Sequence, residues 1–248
     1  MWHTVAYQAA LTATVNTDMS AITDGVEAIT NGHILPQRDK QILYAYIGAT
    51  TLLRARLNAP SLRQFSPPFI RPIDNANAPN SRTPVADYRL NPLPIKALEE
   101  LQIEATDSAA GPNTAVGVVG LSEGPMQPMP QGQIISMRGT GTTTQVALAW
   151  TLCQMTWVDN LPAGQYACVG LSGFAATGVA ARLVFEQQVQ RPGAIIGATG
   201  VIIPHPMFLK GGLGVWGYFT GNRLPNVEVL SVSADTAQEF YLDLIKVG

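Results

Sequence analysis

The sequence predicts an all-β protein built as two tandem β-sandwich halves, and three observations predict it. The 23 glycines and 18 prolines among 248 residues break the chain into short apolar runs, a pattern of many short strands rather than long helices. Residues 124–132 read Gly-Pro-Met-Gln-Pro-Met-Pro-Gln-Gly, which continues neither a sheet nor a helix. Similar blocks follow one another in the same order on both sides of that segment.

The first matching block is residues 43–57 in one half and 166–183 in the other. Each is an apolar strand, a small-residue turn and a second strand ending in Arg-Leu, at Arg56-Leu57 and Arg182-Leu183. An Arg-Pro follows each, at Arg71-Pro72 and Arg191-Pro192. Each half then closes on paired segments, 98–107 with 115–121 and 226–235 with 239–245. The first and closing blocks repeat at offsets of about 126 to 128 residues, and the Arg-Pro block at 120. The predicted domains are therefore 1–124 and 132–248, with an extended linker at 125–131. A β-sandwich or jelly roll in each half is the natural architecture.

The remaining elements follow from composition. Residues 149–157 place Trp, Leu and Trp among strand formers. Residues 67–94 are rich in proline and asparagine, which predicts a long surface loop. Helix is confined to a short segment at 17–29 and one turn at 60–65. Cys153 and Cys168 form no CxxC pair and are expected as core thiols, with a disulfide between neighbouring strands left open.

Only 13% of residues are charged and the net charge is −2. A typical soluble domain is about 25% charged. A surface this poor in charge suits one that meets other protein. The first residues lack a signal-peptide pattern. The longest nearly apolar run, 194–204, is about half of what a membrane-spanning helix needs.

Residue strings that resemble catalytic motifs lack their context. Residues 120–124 match G-x-S-x-G, but the proline segment follows where a nucleophile elbow requires a helix. His3, His33 and His205 have no acidic partner nearby in sequence to complete a triad. Residues 212–217 match G-x-G-x-x-G, but strand and turn residues follow instead of a helix. The glycines there are expected to allow close packing. His205 stands between two prolines without ligand spacing, so no metal site is assigned. The acidic pairs Glu99-Glu100 and Asp235/Glu239 read as solvated strand ends. Arg54, Arg56, Arg63, Arg71, Arg82 and Arg89 are scattered singly and there is no basic tail, which argues against direct nucleic-acid binding. No catalytic residue and no cofactor is expected. The aromatic residues are expected mainly in cores, with Trp216 and Phe219 partly exposed. Candidate subunit-interface residues are Trp2, Arg71, Arg191, Trp216 and Phe219.

Paired Arg-Leu strand ends, the Arg-Pro repeats, the closing strands, the proline linker and the low charge together resemble the double jelly-roll major capsid proteins of icosahedral DNA viruses, including phages with an internal membrane. That resemblance implies trimers that tile a shell, contacts with other virion proteins, a genome or membrane beneath, and a virion location after synthesis in the host cytoplasm. The chain is short for two jelly rolls, which leaves a single barrel or a tail fibre open. A receptor- or carbohydrate-binding sandwich module is the alternative, because loops at sandwich ends commonly bind sugars.

Overall fold

The structure, a computed structural model, describes residues 2–63, 67–75, 84–109, 113–197 and 205–248. The chain divides into two compact units. The N-terminal unit holds the described residues from Thr4 to Gly124, and the C-terminal unit holds those from Pro125 to Gly248 together with Trp2 and His3.

In the N-terminal unit the strands are β1 (Trp2–Leu11), β2 (Thr17–Asp18), β3 (Ser20–Ala21), β4 (Ala28–Thr30), β5 (His33–Leu35), β6 (Lys40–Gly48), β7 (Leu52–Asn58), β8 (Ala86–Asp87), β9 (Leu93–Ile95), β10 (Gln102–Asp107) and β11 (Asn113–Ser122). One sheet has the order β3-β1-β11-β6-β8, with β9 also on β6, and a second has the order β2-β10-β7. A single core cluster draws on both sheets, from Val5 and Tyr7 on β1 to Leu57 on β7, Ile103 on β10 and Val119 on β11. Such a cluster is the expected interior of a sandwich.

The C-terminal unit continues with β12 (Ile134–Gly141), β13 (Trp150–Cys153), β14 (Met155–Trp157), β15 (Gln165–Ala175), β16 (Gly178–Val184), β17 (Gly193–Ile195), β18 (Gly217–Thr220), β19 (Asn226–Ser231) and β20 (Gln238–Lys246). Its sheets have the orders β14-β12-β20-β15-β18 and β13-β19-β16-β17. The two units thus repeat one pairing scheme. β6 and β7 correspond to β15 and β16, and β10 and β11 correspond to β19 and β20.

Backbone irregularities repeat with the pairing. On β6, Ile42 pairs Leu121 and Tyr44 pairs Gly120, so Leu43 is an extra, bulged residue. On β15, Cys168 pairs Leu244 and Gly170 pairs Asp243, so Val169 is the bulge. The bulged carbonyls accept loop N–H groups alike, Leu43 O from Tyr88 at 2.8 Å and Val169 O from Gly211 at 2.6 Å. A second bulge falls at Leu53 on β7 and at Val179 on β16.

Register also revises the expected repeat. Asp107 and Ser231 occupy equivalent places opposite Leu52 and Gly178, an offset of 124 rather than 128 in the closing blocks. The Arg-Pro blocks are not equivalent. The carbonyls of Pro68 and Pro192 accept from Leu57 and Leu183, so Pro68 is the counterpart of Pro192, and Arg71-Pro72 lies further along.

Residues 17–29 are not helical. Met19 and Ile22 are buried three residues apart, which mimics a helix face. Their N–H groups instead reach other strands, Met19 to Ile103 O at 2.9 Å and Ile22 to Ala6 O at 2.8 Å. The Asp24 carboxylate accepts from Val26 and Glu27 at 2.7 and 3.0 Å, a turn closed by the side chain. The stretch 67–94 is not all loop either, because β8 and β9 pair with β6. Residues 76–83, with Arg82, lie outside the described residues, as do Phe65 of the expected turn and 198–204 of the apolar run. The turn itself is a 3-10 segment at Pro60–Leu62.

Candidate functional site

The glycine string 212–217 serves packing. Gly214 has φ +67°, and a Cβ there would overlap the carbonyl oxygen of Gln127. Val215 donates to that same oxygen at 2.9 Å, and Gln127 Nε2 donates to Tyr218 OH at 2.5 Å. The segment predicted as a linker is therefore docked on the C-terminal unit along residues that only glycine lets approach so closely. Gly214→Ala is expected to cost about 3 kcal/mol, from left-handed strain plus displacement of residues 125–131. Urea unfolding checks it, and a loss below about 0.5 kcal/mol, the scale of an ordinary surface change, would contradict the docking.

The serine of 120–124 is engaged locally. Ser122 is buried and donates to Gly124 O at 2.5 Å, and Glu123 accepts from Lys40 Nζ at 2.7 Å. Lys40 is itself buried and also bonds Glu27 at 2.8 Å. His33 Nδ1 lies 3.1 Å from Glu100, a partner 67 residues away that sequence proximity missed. His3 Nδ1 accepts from the Arg191 N–H at 3.0 Å, and His205 Nδ1 from Met207 at 3.3 Å. The acidic pairs are engaged separately: Glu99 accepts from Ser61 N, Asp235 from Ala176 N, and Glu239 pairs with Arg138. Among the described residues no group of three or more His, Cys, Asp or Glu could hold a metal ion. Cys153 and Cys168 are free, buried thiols.

Three of the five interface candidates point inward. Trp2 and Trp216 are buried and meet edge to face with ring centres 4.8 Å apart. On β18 the burial alternates, so Gly217 and Phe219 face in while Tyr218 and Thr220 face out. Phe219 stacks on Tyr166 at 5.8 Å. With aromatics at 7% of the chain, the large rings fill core volume, and Tyr218 is the exposed ring of this group. Arg71 is exposed and lies over the Phe69 ring at 5.3 Å. Arg191 is half-buried in a charge cluster.

That cluster and its counterpart are the most developed polar sites on the sheets. In the C-terminal unit, Glu228 on β19 accepts from Arg182 Nε at 2.5 Å and from Arg191 Nη1 at 2.8 Å. The Arg182 side chain is 1% exposed, and its guanidinium stands 4.2 Å from the centre of the Trp150 ring. In the N-terminal unit, Glu104 on β10 accepts from Arg56 Nε at 2.7 Å and from Asn58, which in turn accepts from Arg63 Nε at 2.6 Å. The Arg56 side chain is 34% exposed, so this pair meets solvent where its counterpart does not.

No protein-family model matches the chain, and no curated protein matches it. Among solved structures, the major capsid protein P2 from bacteriophage PM2 is similar at 9% identity and a TM-score of 0.27, over 100% of this chain and 98% of that one. A likeness at that score carries no argument about this chain. Among the described residues no helix is long and apolar enough to cross a membrane.

Proposed function

We propose that the chain is a structural virion protein, a major capsid protein of two tandem jelly rolls that assembles as trimers into an icosahedral shell. The observation that carries this reading is the repeated, nested strand order. In each unit the first strand neighbours the last and the second neighbours the last but one: β1 with β11 and β2 with β10, then β12 with β20 and β13 with β19. Nesting of that kind is what a jelly-roll wrapping requires, and it supports that architecture, which is frequent in virus shells and in lectins. Low charge supports a surface made for other copies, because interface centres are depleted of charged residues. The role needs no catalysis or cofactor, and the location is the virion. Other virion proteins and a membrane or genome beneath the shell are the further partners.

Sedimentation and electron microscopy of the purified chain test the reading. The expected result is a species three times the 26.4 kDa chain mass that goes on to form regular sheets or closed particles. A chain that stays monomeric at every concentration would refute it.

A further inference from the structure

The two units carry one outer-face site in two different states, and register fixes the correspondence. The bridge Ala13↔Asp107 matches Ala147↔Ser231. Each is followed by a left-handed residue, Thr14 at φ 60° and Leu148 at φ 55°. Their N–H groups donate to Asp107 O and Ser231 O at 2.9 and 2.8 Å. Two residues on, Asn16 is the counterpart of Trp150. Strand pairing likewise matches Arg56 with Arg182, Glu104 with Glu228, Thr106 with Leu230 and Arg54 with Ala180. Phe69 opposite Arg56 matches Gly193 opposite Arg182.

In the C-terminal unit the Trp150 indole closes this site over Arg182. In the N-terminal unit Asn16 stands where the indole would, and a cavity of about 110 Å3 remains, lined by Asn16, Arg54, Arg56, Phe69, Glu104 and Thr106. Its wall has also changed from apolar to polar, with Arg54 in place of Ala180 and Thr106 in place of Leu230. Arg54 makes two long bonds to neutral oxygens, Nε to Thr106 Oγ1 and Nη2 to Asn16 Oδ1, both at 3.3 Å. It has no carboxylate partner among the described residues. Phe69 is 43% exposed beside it.

We propose that this pocket binds a carboxylate-bearing sugar. The ligand's carboxylate meets the Arg54 guanidinium and its ring lies against Phe69. One hydroxyl accepts from the Asn16 amide nitrogen, whose oxygen is held by Thr106 at 2.6 Å, and another donates to Glu104. A simple anion would answer Arg54 but bring no ring for Phe69 and no hydroxyl for Glu104, whose charge Arg56 already balances. A neutral sugar would leave the guanidinium unanswered, whereas a charge-assisted pair is the stronger bond. The cavity lies below the 300–1,000 Å3 or so of drug-sized sites and opens to solvent, so it takes the carboxylate end of one sugar unit while the rest of the ring stays outside against Phe69. The site lies within a single chain, so titration of the unassembled chain tests it separately from shell formation.

The test is ligand-observed NMR and calorimetric titration of the full chain with methyl β-D-glucuronide, against methyl β-D-glucoside and inorganic sulfate, at low salt. The glucuronide is expected to bind, with the glucoside and sulfate each weaker by about tenfold or more. Arg54→Gln is expected to weaken the glucuronide by about tenfold. Asn16→Trp, which rebuilds the closed state, is expected to abolish binding while the chain keeps its strand circular dichroism. Absence of glucuronide binding to the native chain overturns the proposal. So does equal binding of glucoside or sulfate, or a folded Asn16→Trp chain that binds as the native one does.

Discussion

Glu228→Ala is expected to destabilise the chain by about 3–5 kcal/mol, the cost of leaving a buried charge without its partner. The Arg182 side chain is 1% exposed and cannot regain water in place, and Arg191 loses its carboxylate as well. The matched substitution Glu104→Ala is expected to cost about 1 kcal/mol or less, because the Arg56 guanidinium is 34% exposed and water replaces the lost pair. Urea midpoints of the two variants measure the contrast. Equal losses would mean that the two sites are equally covered, against the geometry described.

Alkaline pH is expected to unfold the protein over a narrow range. Burial pushes the Tyr7, Tyr44 and Tyr46 hydroxyls well above the usual phenol value of 10.0, and the Cys168 thiol from 9.0 up to about 12. These groups stay protonated in the fold while the unfolded chain ionises. Their folded values are raised, so stability is whole below the unfolded values of 9.0 and 10.0 and is lost progressively as pH rises from them toward the raised folded values. Each group removes up to about 1.4 kcal/mol per pH unit once the unfolded chain has ionised, so the four together approach about 5 kcal/mol per unit above pH 10. Urea midpoints are expected to be flat in this respect from pH 7 to about 9 and to fall steeply beyond. A flat profile up to pH 12 would contradict their burial.

The parts of the fold legible in the sequence were those built from long local runs. β6 with β7 and β15 with β16 each announce themselves as apolar runs around a small-residue turn, and the closing strands β11 and β20 do so by length. The short partners were hidden. β2, β3, β8 and β9 are two or three residues long, which is too short for any period to register, and Met19 and Ile22 imitate a helical face. The charge clusters were half visible. Arg56-Leu57 and Arg182-Leu183 marked the right positions, but their carboxylates lie 48 and 46 residues downstream, and only strand register joins them. The inward facing of the aromatic candidates was hidden for a related reason: hydrophobicity alone does not say which side of a strand faces in, and Tyr218 and Phe219 differ by that alone.

The paired bulges at Leu43 and Val169, and at Leu53 and Val179, set what kind of change these hairpins can absorb. A substitution at any of the four swaps one side chain. Removing the extra residue would keep the pairs on either side but straighten the strand, and at Leu43 and Val169 it would also take away the carbonyls that Tyr88 and Gly211 reach. Removing a paired residue would instead shift the strand register by one and turn its downstream core positions to the opposite face. Drift in this protein is therefore free to erase spelling while it is barred from changing length. Among distant homologues, conserved hairpin lengths would then mark kinship after residue identities had worn away.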